Sequence, residues 1–279
     1  MDIEIIEMAE RKAKFILKNS SPAMANALRR TLLTDLPKMA IDKVEFHLGP
    51  IMGDSGKEYE SETPLFDEII AHRLGMVPVP TDLTLFGPQS ECSCRGEGCP
   101  NCTIMYSLNK IGPCTVYSGD LMPLGNPDLK VMDEFIPLVE LTDGQAILVY
   151  AHAVMGTAKK HVKWQVCNGV GYRYLTRITI DPDMASSEEV LKCAEIAPEV
   201  FEIQNGKLIV KCEYACDQSK PEIIKIADAI PGVSFEYDDE NFLFKFETDG
   251  SLTAKQALDE ALKILVKESM DFKDQISAL

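Results

Sequence analysis

Positive charge is scarce in this chain of 279 residues: 28 lysines and arginines stand against 44 aspartates and glutamates, for a formal charge of -16. Non-specific nucleic-acid affinity comes mainly from lysine and arginine neutralising phosphates, so extensive direct DNA contact is not expected. Long apolar runs are missing too. The longest, around Ala146 to Met155, contains His152 and falls well short of the roughly 20 residues that cross a bilayer. The start, Met1-Asp2-Ile3-Glu4, is acidic where an export signal is basic. A cytoplasmic, soluble protein with no membrane contact is expected.

Catalytic signatures are equally thin. There is no Gly-rich phosphate loop, no G-x-S-x-G elbow, no H-E-x-x-H and no paired-aspartate motif for magnesium. His47, His72, His152 and His161 lack metal-ligand spacing. Asp238-Asp239-Glu240 reads as a solvated turn beside Tyr237 and Asn241. Lys159, Lys160, His161 and Lys163 form a short basic run, read as a solvated strand face with a local basic patch as the alternative. No catalytic residue is expected in this chain.

What the chain does have is 46% apolar residues, enough for two or three compact units. Ala13, Phe15 and Leu17 alternate with Lys14 and Lys18 as in a strand, with Ile16 the exception. Ser21 and Pro22 then read as the cap and first residue of a helix, and Met24, Leu28, Leu32 and Leu36 follow at four-residue spacing until Pro37. A second amphipathic helix opens on the capping-box spacing of Thr253 and Gln256 and carries Leu258, Leu262, Leu265, Val266 and Met270. Each stripe packs either on its own domain's core or in a bundle shared by two subunits. Between the helices lie two inserts, about Lys43 to Lys163 and about Pro182 to Pro221. In the second, Asn205-Gly206 between Val200 and Val210 is a hairpin signal, flanked by capping spacings at Ser186/Glu189 and Ser219/Glu222.

Nine cysteines, an odd number unevenly spaced, point to reduced thiols and metal binding rather than a disulfide framework. Cys92, Cys94, Cys99 and Cys102 crowd a segment that Gly96, Gly98 and Pro100 allow to fold tightly. Four thiolates suit tetrahedral zinc in a closed, structural site; an iron-sulfur cluster or disulfides are the alternatives, and Cys114 is near enough to substitute for a ligand. Further on, Cys193-Ala194-Glu195-Ile196-Ala197-Pro198 and Cys216-Asp217-Gln218-Ser219-Lys220-Pro221 each keep the tail of a C-x3-C-P run without its last cysteine. With Cys212 out of register, three thiols do not complete a cubane. The readings are a labile cluster, a scaffold without cofactor, or a disulfide from Cys193 to Cys212 or Cys216.

Ser21-Pro22-Ala23-Met24-Ala25-Asn26-Ala27-Leu28-Arg29-Arg30-Thr31-Leu32-Leu33, then Pro37 to Val44, closely resembles the alpha motif of multisubunit RNA polymerase assembly subunits. So does Glu62-Thr63-Pro64-Leu65-Phe66-Asp67-Glu68 and its continuation through His72-Arg73-Leu74-Gly75 to Val79. Phe242 to Leu265 is similar to the family's last strand and dimerisation helix. The order of parts resembles the archaeal alpha-like type, counterpart of bacterial alpha and of the eukaryotic third-largest polymerase subunit.

The resemblance implies an α+β fold. A split alpha-like dimerisation domain, a sheet plus two long amphipathic helices, would comprise residues 1–42, 164–181 and 223–279. An inserted mainly-β domain would cover 43–163 and a degenerate ferredoxin-like α/β domain 182–222. It also implies a non-catalytic assembly role in transcription, the nucleotidyltransferase chemistry belonging to other subunits. Subunit L would be the heterodimer partner, through Met24, Leu28, Leu32, Leu36, Leu258, Leu262, Leu265 and Val266. The large catalytic subunits and small subunits N and P would join the platform, with Arg29 and Arg30 near a large subunit, where arginine's planar fork suits an interface. The family's insert cysteines map to Cys92, Cys94, Cys99 and Cys102, for structural zinc. Cluster-bearing members carry more cysteines in the third domain, so an iron-sulfur cluster is not expected there. The alternative function is a free-standing metal- or cluster-binding redox protein.

Overall fold

The structure is a computed structural model and describes residues 2–53 and 56–278. Up to residue 100 the chain forms strands β1 (Asp2–Met8), β2 (Lys12–Lys18), β3 (Lys38–Phe46), β4 (Ile51–Met52) and β5 (Glu58–Tyr59), with helices α1 (Pro22–Thr34) and α2 (Asp67–Met76). Strands β6 (Thr103–Ile111), β7 (Cys114–Tyr117), β8 (Met122–Pro123), β9 (Pro137–Leu141), β10 (Ala146–Gly156) and β11 (Cys167–Ile180) follow. Then come α3 (Glu188–Leu191), α4 (Cys193–Ile196), β12 (Phe201–Gln204), β13 (Lys207–Val210), α5 (Pro221–Ala229), β14 (Val233–Thr248) and α6 (Ala254–Ser277). Among the described residues no helix is long and apolar enough to cross a membrane.

The chain divides into two compact units. One gathers the segment up to Met8, Ala13–Arg29 and Gly171–Lys245; the other gathers Ala9–Lys12, Arg30–Val170 and the segment from Phe246 onward. Thus residues 43–163 lie wholly in the second and 182–222 wholly in the first.

The first unit is built on a sheet of order β1-β2-β14-β11. Alternation along β2 buries Ala13, Phe15 and Leu17 on one face, where Phe15 stacks on Phe244 and Phe244 on Tyr172, each pair 5.2 Å between centroids. Each such pair contributes about 0.5–1.5 kcal/mol beyond area burial. Ile16, the exception to the alternation, is buried on the other face with Leu175 and Leu243. A second core holds Val190, Cys193, Phe201, Leu208, Cys216, Ile223 and Ile226. The β12–β13 hairpin turns on Asn205 (φ 52°) and Gly206 (φ 73°), the pair of positive angles a two-residue turn needs.

Three local readings need correction in this unit. The cap of α3 is Ser187, which accepts the Val190 amide, one residue past Ser186. Ser219 caps nothing: its amide and hydroxyl both donate to Asp217 Oδ1, and Pro221 as first residue of α5 makes Lys220 the cap. Asp238 is not in a solvated turn but buried within β14, where it accepts from Asn241 (2.8 Å), Glu240 N (3.1 Å) and Arg177 (3.3 Å).

The second unit has a sheet of order β3-β10-β6-β8. β10 is its central pairing strand, with Ala151 opposite both Val44 and Tyr106, which is why its sequence is the chain's longest apolar run. Its core includes Met39, Ile41, Leu74, Tyr106, Val149 and Ala151. Buried Lys38 pairs with Asp249 and donates to Gln165 O (3.3 Å), tying three distant segments together. The basic run at 159–163 is a turn followed by a single 3-10 turn, not a strand face. Its charges are used within this unit: Lys159 pairs with Asp35 (2.7 Å), Lys163 pairs with Asp42, and Lys160 and Lys163 lie 4.8 and 4.3 Å from the Trp164 ring. Gly156 makes that packing possible, since a Cβ there would sit 2.5 Å from Trp164 Cε2.

Candidate functional site

The loop from the 3-10 turn Gln89–Glu91 to the start of β6 draws four sulfurs together. Arg95 (φ 55°), Gly96 (φ 89°) and Gly98 (φ 87°) bend it through left-handed conformations that glycine adopts without strain. Amides of Arg95 and Cys102 donate to the carbonyls of Cys92 and Cys99, each at 3.0 Å, closing two tight turns. The Sγ atoms of Cys92, Cys94, Cys99 and Cys102 all lie within 4.8 Å of one another. Cys92 and Cys99 are 3.4 Å apart, Cys94 and Cys102 3.5 Å, Cys99 and Cys102 3.9 Å. A tetrahedron of sulfurs about 2.3 Å from one zinc-sized ion has edges of about 3.8 Å. The three shortest spacings lie near that edge, and the four sulfurs are close enough to share one metal ion.

The four thiols differ electrostatically. The Cys99 amide, donating to Cys94, holds that thiol down to about 5, against burial that opposes it. Burial pushes Cys102 up to about 12. Cys102 is the buried anchor at the root of β6 and the other three are half-buried, so an ion here is gripped from the rim.

The remaining cysteines are placed differently. All are free thiols. Cys193 and Cys216 belong to the apolar core of the first unit, Cys212 is half-buried, and among the described residues they form no ligand group. Burial pushes Cys193 up to about 11, as expected of a core thiol kept neutral. Cys114 lies at the start of β7, outside the cage.

The two predicted helices form as their caps dictate. Ser21 Oγ accepts the Met24 amide at 3.3 Å at the start of α1. Thr253 and Gln256 complete the capping box of α6. Leu28, Leu32 and Leu36 are buried within this chain, and Met24 is 40% exposed. Arg29 donates from Nε and Nη2 to Asn26 Oδ1 (3.1 and 2.9 Å), three residues back on the same helix, while Arg30 is exposed. In α6, Ala254, Ala257, Leu258 and Ala261 are buried, and Leu262 and Leu265 are half-buried. Beyond them the helix leaves the core: Val266 is 54% exposed, Met270 61%, Phe272 65% and Ile276 55%. Covering each such side chain contributes about 1.5–3 kcal/mol. Phe272 and Ile276 were not among the expected interface residues; Phe272 lies seven residues past Leu265, the two-turn repeat that marks it.

Comparison with known proteins fits this geometry. The family described as the RNA polymerase Rpb3/Rpb11 dimerisation domain matches residues 14–269. The DNA-directed RNA polymerase subunit Rpo3 of Picrophilus torridus is 42% identical over 280 residues, 99% of each chain. Those of Archaeoglobus fulgidus (38%, covering 95% of this chain and 93% of the relative) and Thermococcus kodakarensis (33%, covering 100% and 99%) are similar along their lengths. The chain belongs to the RNA polymerase Rpb3/Rpb11 dimerisation-domain family, among the archaeal alpha-like Rpo3 subunits of DNA-directed RNA polymerase.

Proposed function

We propose that this chain is the non-catalytic assembly subunit of a cytoplasmic DNA-directed RNA polymerase. It pairs with a small alpha-like partner, subunit L, and presents a platform to the large catalytic subunits and to small subunits N and P. The observation that carries the reading is the outer half of α6, a helix that keeps its turn-to-turn apolar side chains after leaving its own core. Water is a poor environment for such a stretch and a partner's helix a good one. Leu262, Leu265 and Val266 lead into it, with Met270, Phe272 and Ile276 extending it. Of the other expected interface residues, Met24 stays open to a partner, whereas Leu28, Leu32, Leu36 and Leu258 are packed inside this chain and support the helices rather than present a face. Arg30, and Arg29 beside it, serve a larger subunit.

The domain reading remains the split one: 1–42, 164–181 and 223–279 for dimerisation, 43–163 as the insert, 182–222 as the degenerate ferredoxin-like part. Cys92, Cys94, Cys99 and Cys102 hold a structural zinc ion, which when bound would cross-link the loop and leave no open coordination position. A free-standing redox role is not favoured, because the chain belongs to a family of polymerase subunits along nearly its whole length.

Affinity purification of the tagged chain with its co-expressed polymerase partners, followed by metal analysis, tests the whole reading. The expected product is a colourless complex retaining subunit L with one zinc per chain. A well-behaved monomer that retains no polymerase subunit overturns it.

A further inference from the structure

Three cations converge on one hollow of the first unit, in a chain short of cations. Lys14, Lys245 and Arg173 line a concavity of about 260 Å3 with Gly171, Leu243 and Asp217. The far face of the sheet fixes this convergence. Phe15, Phe244 and Tyr172 stack there in a row across β2, β14 and β11. Side chains alternate between faces along a strand, so the residues adjoining that row, Lys14, Lys245 and Arg173, meet on the opposite face. The Ser20 amide donates to Glu240 O at 2.9 Å while Phe15 stacks on Phe244, so partner numbers rise along β14 as they fall along β2; the strands run antiparallel and Lys14 and Lys245 are cross-strand neighbours.

Like charges so placed repel, and a sheet normally avoids the pairing. Part of this charge is already engaged. Glu7 faces Lys14 from β1, and Lys14 Nζ lies 5.1 Å from the Tyr214 ring. Arg173 donates to the carbonyls of Tyr214 and Cys216 and comes within 3.9 Å of Asp217. Lys245 is different: it is exposed and has no hydrogen-bond or ion-pair partner among the described residues. Gly171, in the same hollow, leaves room beside it, since a Cβ there would meet nothing within 4 Å.

We propose that this hollow docks an acidic segment of another polypeptide, one carboxylate bridging Lys14 and Lys245 over the space left by Gly171. Charge complementarity selects the occupant. A nucleic-acid backbone would bring a run of phosphates, needing many cations, and would meet Asp217, which lines the same hollow; one carboxylate on an extended chain needs only the two lysines. The inference goes beyond the assembly role and rests on it only for the complex in which the segment is sought.

Zero-length carbodiimide cross-linking of the purified complex, with sequencing of the joined peptides, tests it. The expected product links Lys245 or Lys14 to an aspartate or glutamate in an acidic stretch of a second polypeptide. In Lys14→Glu, which keeps the Lys245 amine, the yield of the Lys245 link falls about tenfold, and added salt lowers it in the parent. If the chain retains no other polypeptide, both this inference and the assembly reading fall. If it retains polymerase subunits but both lysines acetylate as fast in the complex as in the free chain, the docking inference alone falls. A nuclease-sensitive change in lysine labelling would assign the hollow to phosphates and overturn it equally.

Discussion

The two groups of cysteines in this chain begin as similar sequence signals and end in opposite environments. At 92–102 a loop bent through Arg95, Gly96 and Gly98 aims four sulfurs at one point, three of them half-buried. At 193–216, Cys193 and Cys216 turn into a core of Val190, Phe201, Ile223 and Ile226, where a thiol behaves as a small hydrophobe. Metal sites are made by aim, not by cysteine count. A sulfur packed among aliphatic side chains has no common centre to share, and ionising it there costs desolvation free energy.

The largest expected difference between the groups is in metal affinity. Losing a partner that merely orients a ligand costs about 10–100-fold, so Cys99→Ser, which removes a ligand, should weaken zinc binding by more than about a hundredfold, read by chelator competition. Retention of one tightly held ion would break the comparison. Cys193→Ser should leave zinc content unchanged and instead cost about 1–3 kcal/mol in denaturant unfolding, because its hydroxyl would be buried without a designed partner. Cys193→Ala should cost less than the serine variant. A loss of zinc from either Cys193 variant would link the two groups and undo the distinction.

A smaller contrast should appear in reactivity once the metal is stripped. Cys94, held at about 5 chiefly by the Cys99 amide, is almost wholly thiolate at neutral pH. Cys193, pushed up to about 11 by burial, is almost wholly thiol. The thiolate fractions differ by about ten-thousandfold, but a low-pKa thiolate is the weaker nucleophile, so an advantage of about tenfold remains before burial adds to it. Peptide mapping after brief alkylation at pH 7 should find Cys94 labelled first. Its rate should fall as pH drops through about 5, because the group that reacts is the one being protonated. Equal labelling of Cys94 and Cys193 would contradict the difference in surroundings.

What could be read from the sequence was local. Ser21 with Pro22, Thr253 with Gln256, Asn205-Gly206 and the four-cysteine loop all work through neighbours a few residues apart, and each forms where its spacing placed it. Ser219 shows the limit even of local rules: Asp217, two residues away, competes for the same donors and takes them. Long-range partners were out of reach. Nothing near Asp238 announces Arg177, nothing near Lys38 announces Asp249, and the basic run at 159–163 looked free because Asp35, Asp42 and Trp164 meet it only in the folded chain. Periodicity likewise found both apolar helices but not which side chains stay uncovered. Leu28 and Val266 carry the same signal, and one is 2% exposed while the other is 54%.

The smallest expected effect comes from restoring the cysteines that the second group lacks. Ala197 and Lys220, the two replaced positions, line one hollow of about 460 Å3, where Lys220 reaches Glu199 at 3.4 Å. In a paired C-x2-C-x2-C-x3-C-P arrangement the last cysteine of each run ligates the other run's cluster. Three and six residues before Cys193 stand Val190, which is fully buried, and Ser187, which caps α3; before Cys216 stand Glu213 and Val210. Ala197→Cys/Lys220→Cys therefore supplies only two of the four thiolates either cubane requires. Anaerobic reconstitution with iron and sulfide should leave this variant as colourless as the parent. A stable brown product would mean that the core gives way to let buried Cys193 and Cys216 converge, and that cysteine count can override the packing that now separates the two groups.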